Sequence, residues 1–281
     1  MIDLFGEPQT KPFEGKEITV TLNARELDPH TQLMYSGFEP MTDLMFMVAS
    51  RLSEPKVAYS YNKDDRVAVL SYGELGRATS GPHTLWGCQV FEPAKDGAVI
   101  PACVTGPLTC NKLGIPAREN YFDARALLPW AFGIRRGQPD GTALLVPGPL
   151  DEPKLAPHYE TLRSSGFRIL PTGTGLRETC LAMSTANFVV TSSVTAYILA
   201  EAMGVPCTAF WYFDQTVPDR LNDYVLGTKR ELPAILDFNQ SVRISVMPHQ
   251  PKPVFALDYA LGTCPFGIMD GAPLKRYFNE A

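Results

Sequence analysis

The sequence predicts an α/β protein with parallel sheets, and two observations support that fold class. In the second half of the chain, short apolar runs typical of buried strands alternate with helical segments, which is the pattern of βαβ units. At 281 residues, the chain exceeds the length that one hydrophobic core usually organises, so two domains are expected. We place the boundary in the Pro- and Gly-rich stretch 133–141, which divides the chain into domains 1–140 and 141–281.

Individual elements follow from apolar periodicity and from turn signals. In the C-terminal half, strands are predicted at 142–146, 167–170, 188–191 and 206–211, and helices at 158–165, 176–184 and 194–203. In the N-terminal half, strands or short apolar runs fall at 18–22, 56–61, 66–71, 84–87 and 97–104, and helices at 41–52, 107–113 and 125–132. The tail beyond residue 237 is expected to be irregular, except for an edge strand at 242–247 and a helix at 274–278 that packs back on the N-terminal domain.

Charge and cysteine content exclude several classes of protein. The formal net charge of −5 provides no broad basic surface, which argues against nucleic acid or an anionic membrane as the main partner. The six cysteines have no CxxC spacing, so no structural zinc is expected, and they are predicted to be buried thiols in a reducing cytosol. The sequence shows neither a basic leader nor an apolar run of about 20 residues, so we expect a cytoplasmic protein whose membrane association, if it has any, is peripheral. No metal or cofactor is expected.

The stretch 186–207 carries the strongest sign of chemistry. A buried strand ends in a hydroxyl-rich turn containing Ser192 and Ser193, and a helix follows immediately. Ligands collect at the carboxyl ends of parallel strands, where a helix N-terminus favours a phosphate or carboxylate. The other interpretation is that both serines only cap the helix. A second loop with Thr172, Gly173 and Thr174 follows the preceding strand, so it is predicted to lie at the same edge.

This segment, Ser192-Ser-Val-Thr-Ala-Tyr-Ile-Leu-Ala-Glu-Ala-Met-Gly-Val-Pro206, resembles a signature of the polysaccharide pyruvyl transferase family. In that family Ser-Ser-Leu-His-Gly precedes a helix reading Ile-Ala-Glu-Ala-x-Gly-Ile-Pro, and a short helix with Asp-Tyr follows, as in Arg220–Tyr224 here. Weaker matches occur in the family's order over residues 39–227. They are the segments 40–43, 85–88, 105–109, 113–116, 122–129 and 146–148.

The resemblance implies two Rossmann-like domains facing a cleft, as in GT-B glycosyltransferases, with the acceptor on the N-terminal side and the donor on the C-terminal side. Family members transfer a pyruvyl group from phosphoenolpyruvate to sugar hydroxyls of surface polysaccharides, and some relatives use CMP-activated acidic sugars. The implied partners are therefore a phosphorylated small-molecule donor and a glycan or lipid-linked sugar acceptor.

The position at the sheet edge and the resemblance together give the candidate site residues. Asp43 and Asp123 are candidates for the base that deprotonates the acceptor, although each also suits a helix cap. The other candidates belong to two groups. The donor-binding group is Gly148, Thr172, Gly173, Thr174, Ser192, Ser193 and Thr195, and the cleft group is Trp86, Gly87, Thr105, Gly106, His158 and Glu201.

Three positions depart from the family pattern. Thr105 replaces an arginine, and Gly148 and Thr195 replace histidines, so fixed cations expected around phosphoenolpyruvate are missing. Arg125, Arg177, Lys154 and His158 are candidates to replace that charge.

Three hypotheses of function remain open. They are a pyruvyl transferase, a glycosyltransferase with a CMP-sugar or other nucleotide-sugar donor, and a non-catalytic glycan- or nucleotide-binding subunit. An α/β oxidoreductase is disfavoured because no GxGxxG follows a first strand.

Overall fold

The computed structural model describes residues 71–75, 83–90, 99–231, 235–237, 251–263 and 271–280. Within these residues the chain is an α/β protein with two parallel sheets, which confirms the predicted fold class at that level. The segments predicted at 18–22, 41–52, 56–61 and 242–247 lie outside the described residues, as does Asp43.

The smaller sheet has three strands in the order β1-β2-β3, and both pairings are parallel. The larger sheet has five parallel strands in the order β5-β4-β6-β7-β8. The strands are β1 (Ser71–Leu75), β2 (His83–Val90), β3 (Val99–Val104), β4 (Ala143–Val146), β5 (Phe167–Ile169), β6 (Phe188–Thr191), β7 (Cys207–Trp211) and β8 (Leu236–Asp237).

Helices connect most of these strands. They are α1 (Pro107–Lys112), α2 (Leu128–Phe132), α3 (Glu152–Leu155), α4 (Tyr159–Ser164), α5 (Leu176–Ser184), α6 (Val194–Ala202), α7 (Val217–Gly227), α8 (Leu257–Gly262) and α9 (Ala272–Asn279). Short 3₁₀ turns precede α2 at Ala124–Leu127 and α4 at Ala156–His158. The helix α6 is the central one, because all its residues except Thr195 are buried.

The described part of the chain shares one large core. Its main cluster joins Trp86 and Phe122, from the N-terminal half, to Leu144, Val189 and Ile198 of the C-terminal half. The stretch 133–141 between them also packs on the protein, since the N–H of Gly137 donates to Ser184 O at 2.9 Å. The chain changes sheets where the domain boundary was predicted, and the division into two domains stays a prediction.

Most predicted elements of the second half agree closely with the structure, but the tail does not. Residues 257–262 form the helix α8, where the sequence predicted irregular structure. The segment predicted to be a helix at 274–278 is part of α9, whose Tyr277 hydroxyl donates to Ile134 O at 2.7 Å.

Candidate ligand-binding site

A small pocket, partly open to solvent, lies where β4, β5 and β6 end. Its polar lining includes Thr172 and Thr174 from the loop after β5, and Ser193 and Thr195 from the start of α6. Its apolar lining includes Val146, Leu176 and Leu199. The structure therefore brings the two hydroxyl-rich loops together at the carboxyl edge of the sheet, where ligands of open parallel sheets usually bind.

The turn between β6 and α6 is fixed by its own hydroxyl groups. The N–H of Ser193 donates to Thr191 Oγ1 at 2.9 Å, and that hydroxyl donates to Val146 O at 2.6 Å. Ser193 is the N-cap of α6, since its Oγ accepts from the N–H of Ala196 at 3.3 Å. Ser193 thus combines the capping role with a place on the pocket wall.

Ser192 and Gly148 lie beside the pocket and hold two loops together. Ser192 is 1% exposed, and its Oγ accepts from the N–H of Gly148 at 2.8 Å. A Cβ atom at Gly148 would lie 2.8 Å from Ser192 O, so a larger side chain there requires a shift of the backbone. The histidine that the family resemblance implies at position 148 therefore does not fit this packing.

Glu152, at the start of α3, is a carboxylate that the sequence interpretation missed, and it contacts Thr172 of the loop after β5. Glu152 Oε2 accepts from the N–H of Thr172 at 3.0 Å and also from the Thr172 hydroxyl. Tyr159 donates to Glu152 Oε1 at 3.0 Å, and burial and this carboxylate raise the Tyr159 pKa, so its hydroxyl stays protonated. Gly173, in contrast, is exposed and does not line the pocket. The only sequence signal for Glu152 was its position shortly after a strand that ends at the sheet edge.

Asp123 is buried as the partner of Arg125. Arg125 Nε donates to Asp123 Oδ1 at 2.9 Å, and Nη2 donates to Oδ2 at 2.7 Å. Thr105 also donates to Asp123 Oδ2, at 2.8 Å, and the exposed fraction of the Asp123 side chain is 0%. This carboxylate has no access to an acceptor sugar, so the structure does not support Asp123 as the base. It supports the capping alternative, because Asp123 accepts from the N–H of Arg125 at 3.0 Å.

The remaining residues of the predicted cleft group in the N-terminal half are packing contacts. Trp86 is fully buried, and its Nε1 donates to Ala260 O at 3.0 Å. Gly87 has a φ of +65°, and a Cβ atom there would lie 2.5 Å from Ala124 Cβ. At Gly106 a Cβ atom would lie 1.9 Å from Asp223 O. The two glycines allow close approaches of neighbouring segments, and all three residues are buried.

Two further members of that group also lie away from the pocket. Glu201 is buried in an ion pair with Arg230, with 2.7 Å between Oε2 and Nη2. His158 is exposed and does not line the pocket. A buried carboxylate needs a partner, which Arg230 supplies to Glu201, and the 3₁₀ turn carrying His158 is on the surface.

Of the candidates for replacing the missing cations, Arg125 is buried next to a pocket residue, whereas Arg177 and Lys154 lie on the surface. Arg125 lies between positions 105 and 195, two of the three that depart from the family pattern. It is bound to Asp123, which also accepts from Thr105, and its Nη1 donates to Thr195 Oγ1 at 3.3 Å. Arg177 and Lys154 are exposed, and neither is part of the pocket lining.

The described residues show neither a metal-binding cluster nor a membrane-spanning helix. These residues contain no group of three or more His, Cys, Asp or Glu side chains arranged to hold a metal ion. None of the helices in that part of the chain is long and apolar enough to cross a membrane. The five cysteines in the same ranges are free and buried, and burial raises the pKa of Cys103 to about 12.

Comparisons with known proteins found no matching family model, no matching curated protein and no matching solved structure. The resemblance to polysaccharide pyruvyl transferases therefore rests on the motifs of the chain itself.

Proposed function

We propose that this protein is a transferase of the polysaccharide pyruvyl transferase type, which binds an anionic donor in the pocket at the ends of β4, β5 and β6. One observation supports this most directly. Ser193 and Thr195, from the segment that resembles the family, line the same pocket as Thr172 and Thr174 from a separate loop. The acceptor in this proposal is a sugar hydroxyl of a surface glycan, and the reaction takes place in the cytoplasm.

The pocket offers hydrogen-bond donors suited to an oxyanion. Hydroxyl groups can donate to phosphate or carboxylate oxygens, and the first turn of α6 adds backbone N–H groups. The N–H groups of Val194 and Thr195 have no acceptor among the described residues. The partial positive charge of a helix N-terminus stabilises an anion placed there.

A second candidate is a glycosyltransferase that uses a CMP-activated acidic sugar. The observation that favours it is the pocket lining, whose residues are hydroxyl-bearing or apolar and include no Lys, Arg or His. Phosphoenolpyruvate carries a phosphate and a carboxylate, and charge-assisted hydrogen bonds to such groups are worth about 1.5–3 kcal/mol each. A nucleotide donor loses less from the missing cations, because its base and ribose supply further contacts.

Glu152 is our candidate for the base that accepts the proton of the acceptor hydroxyl, in place of Asp123. Its carboxylate accepts hydrogen bonds from Thr172, which lines the pocket, so a single side chain separates Glu152 from the pocket. The two reactions differ in their leaving groups. In pyruvyl transfer, two sugar hydroxyls add to C2 of phosphoenolpyruvate, C3 gains a proton and inorganic phosphate leaves. In glycosyl transfer, one hydroxyl replaces CMP.

Donor identity can be tested first by binding. Phosphoenolpyruvate and CMP are each titrated against the protein, and the melting temperature is followed, since a ligand that binds only the native state raises it. We expect one of the two to raise the melting temperature, and the double variant Thr172→Val/Thr195→Val to lose most of that increase. Thr161→Val is the matched control, because Thr161 is exposed on α4 outside the pocket.

Turnover is then measured with a mixture of glycan acceptors. Release of inorganic phosphate from phosphoenolpyruvate supports pyruvyl transfer, and release of CMP from a CMP-sugar supports glycosyl transfer. The variant Glu152→Gln should keep donor binding and lose turnover. Binding without either product supports the non-catalytic alternative, and the absence of binding by both ligands contradicts the proposal.

A further inference from the structure

Arg125 connects the buried centre of the protein to the pocket. Its side chain is 1% exposed and its guanidinium is held against Asp123 by two hydrogen bonds, of 2.9 and 2.7 Å. A third hydrogen bond, from Nη1, reaches Thr195 Oγ1 at 3.3 Å, and Thr195 lines the pocket. Arg125 is therefore the neighbour of a residue that we expect to contact the ligand, although Arg125 itself is not part of the pocket wall.

The Arg125–Asp123 pair fixes geometry and adds no net charge. Its two side chains neutralise each other, and Thr105 donates a further hydrogen bond to the carboxylate at 2.8 Å. A guanidinium in a two-point contact with a carboxylate has a defined plane, so the direction of its remaining donors is fixed as well. The Nη1 donor that reaches Thr195 consequently has a rigid support.

The hydrogen bond from Arg125 determines what the Thr195 hydroxyl can do. An arginine has no acceptor, so Thr195 Oγ1 must be the acceptor in this contact. The hydroxyl proton of Thr195 is then available for a different partner, and no described residue accepts it. Because Thr195 lines the pocket, a ligand bound there is an available acceptor for that proton.

We infer that Arg125 is a positioning residue, which holds the Thr195 hydroxyl as a hydrogen-bond donor toward an oxyanion of the ligand. The inference rests on the proposed function and adds a specificity to it. A hydroxyl polarised and oriented in this way suits a deprotonated phosphate or carboxylate oxygen, which only accepts hydrogen bonds. Ligand affinity then depends on a buried residue that does not touch the ligand.

A double-mutant cycle tests this dependence. The first arm is Thr195→Val, which removes the hydroxyl and keeps the shape, and Thr195→Ser is its control because it keeps the hydroxyl. The second arm is Asp123→Asn/Arg125→Met, which removes both buried charges together, since a single charge left behind would strongly destabilise the fold. Phosphoenolpyruvate and CMP are titrated separately into each variant and into the combined variant by calorimetry.

Thr195→Val is expected to weaken binding about 10-fold, the factor for one lost hydrogen bond to a charged group, and Thr195→Ser should remain within about 2-fold of the wild type. Asp123→Asn/Arg125→Met should weaken binding by about 3-fold or more when Thr195 is present. In the Thr195→Val background, the same double substitution should change the affinity by less than about 1.5-fold, because the hydroxyl through which Arg125 acts is gone.

If Asp123→Asn/Arg125→Met weakens binding by the same factor in the wild-type and Thr195→Val backgrounds, the inference is overturned and the proposed function stays intact. Wild-type protein that binds neither phosphoenolpyruvate nor CMP would overturn both. Should the charge-free variant fail to fold, Arg125→Lys replaces it in the cycle, because lysine keeps a cation beside Asp123 but lacks the fork that also reaches Thr195. Arg125→Lys is again expected to weaken binding only when Thr195 is present. An equal loss of affinity in the Thr195→Val background overturns the inference.

Discussion

Asp223 illustrates how a single residue of α7 stabilises the start of α1. Its Oδ1 accepts from the N–H groups of Leu108 and Thr109 at 2.7 and 3.1 Å, and its Oδ2 accepts from the Thr109 hydroxyl at 2.6 Å. These N–H groups belong to the first turn of α1, whose own N-cap, Gly106, has no side chain to offer. A carboxylate on α7 therefore caps a helix that is distant in sequence.

Replacing Asp223 with alanine should be strongly destabilising. The change leaves two N–H groups and one hydroxyl without their acceptor in a buried place, and each such group costs about 1–3 kcal/mol. We expect the free energy of unfolding to fall by about 3 kcal/mol, measured from the urea midpoint with an unchanged slope. Asp219→Ala is the control, since Asp219 is exposed on the same helix, and it should cost less than about 1 kcal/mol. Equal losses in the two variants would refute the capping role.

Some single-residue roles could be predicted from the sequence and others could not. The hydroxyl-rich loops were foreseen because the residues of each loop are adjacent in the chain and follow a strand. The Arg125–Thr195 hydrogen bond joins residues 70 positions apart, and Leu108 and Asp223 are 115 positions apart. A local pattern contains no information on such partners. Asp123 was therefore proposed as the base and Glu201 was assigned to the cleft, although each is half of a buried ion pair.

At the scale of elements, two glycines allow α1 and α7 to approach closely. A Cβ atom at Gly106 would lie 1.9 Å from Asp223 O, and one at Gly227 would lie 2.0 Å from Thr105 O. The φ of Gly106 is −167°, an extended conformation that any residue adopts, so its requirement for glycine is steric. The Gly-Pro-Leu-Thr motif beginning at Gly106 thus forms the contact between α1 and the helix carrying Asp223-Tyr224.

Gly106→Ala should separate these helices and destabilise the protein by about 1–3 kcal/mol, the range for overpacking a well-packed region. The obstacle is backbone, which cannot rotate away as a side chain does. Gly262→Ala is the matched control, because nothing lies within 4 Å of a Cβ atom there and alanine is the better helix former. Thermal melts of the two variants provide the comparison, and an unchanged melting temperature for Gly106→Ala would contradict the packing.

Elements with strong local signals were predicted best. The bounds of β6 and α5 agree with the sequence prediction, and α6 differs by one residue, because each has apolar periodicity and a clear turn or cap beside it. The helix α8 was missed since six residues provide less than two turns of periodicity. Its place depends on partners such as Trp86, which donates to Ala260 O.

At the scale of the whole molecule, the two sheets are joined by apolar and polar contacts together. Trp86 and Phe122 share a core with Leu144 and Val189, and Arg125 hydrogen-bonds to Thr195 between the halves. Interfaces between independent domains are usually more polar than this and allow relative motion. The described part of the chain should therefore unfold as one cooperative unit.

Val189→Ala tests this cooperativity by creating a cavity in the larger sheet, where Val189 is fully buried. A truncation of this kind costs about 2 kcal/mol. If the halves unfold together, amide protection measured by hydrogen exchange should fall by the same free energy in β2 and β3 as in β4 and β6, since all of these strands share one global opening. Loss of protection confined to residues 143–211, with β2 and β3 unaffected, would instead show two separate units divided at 133–141, because only independent cores can lose stability independently.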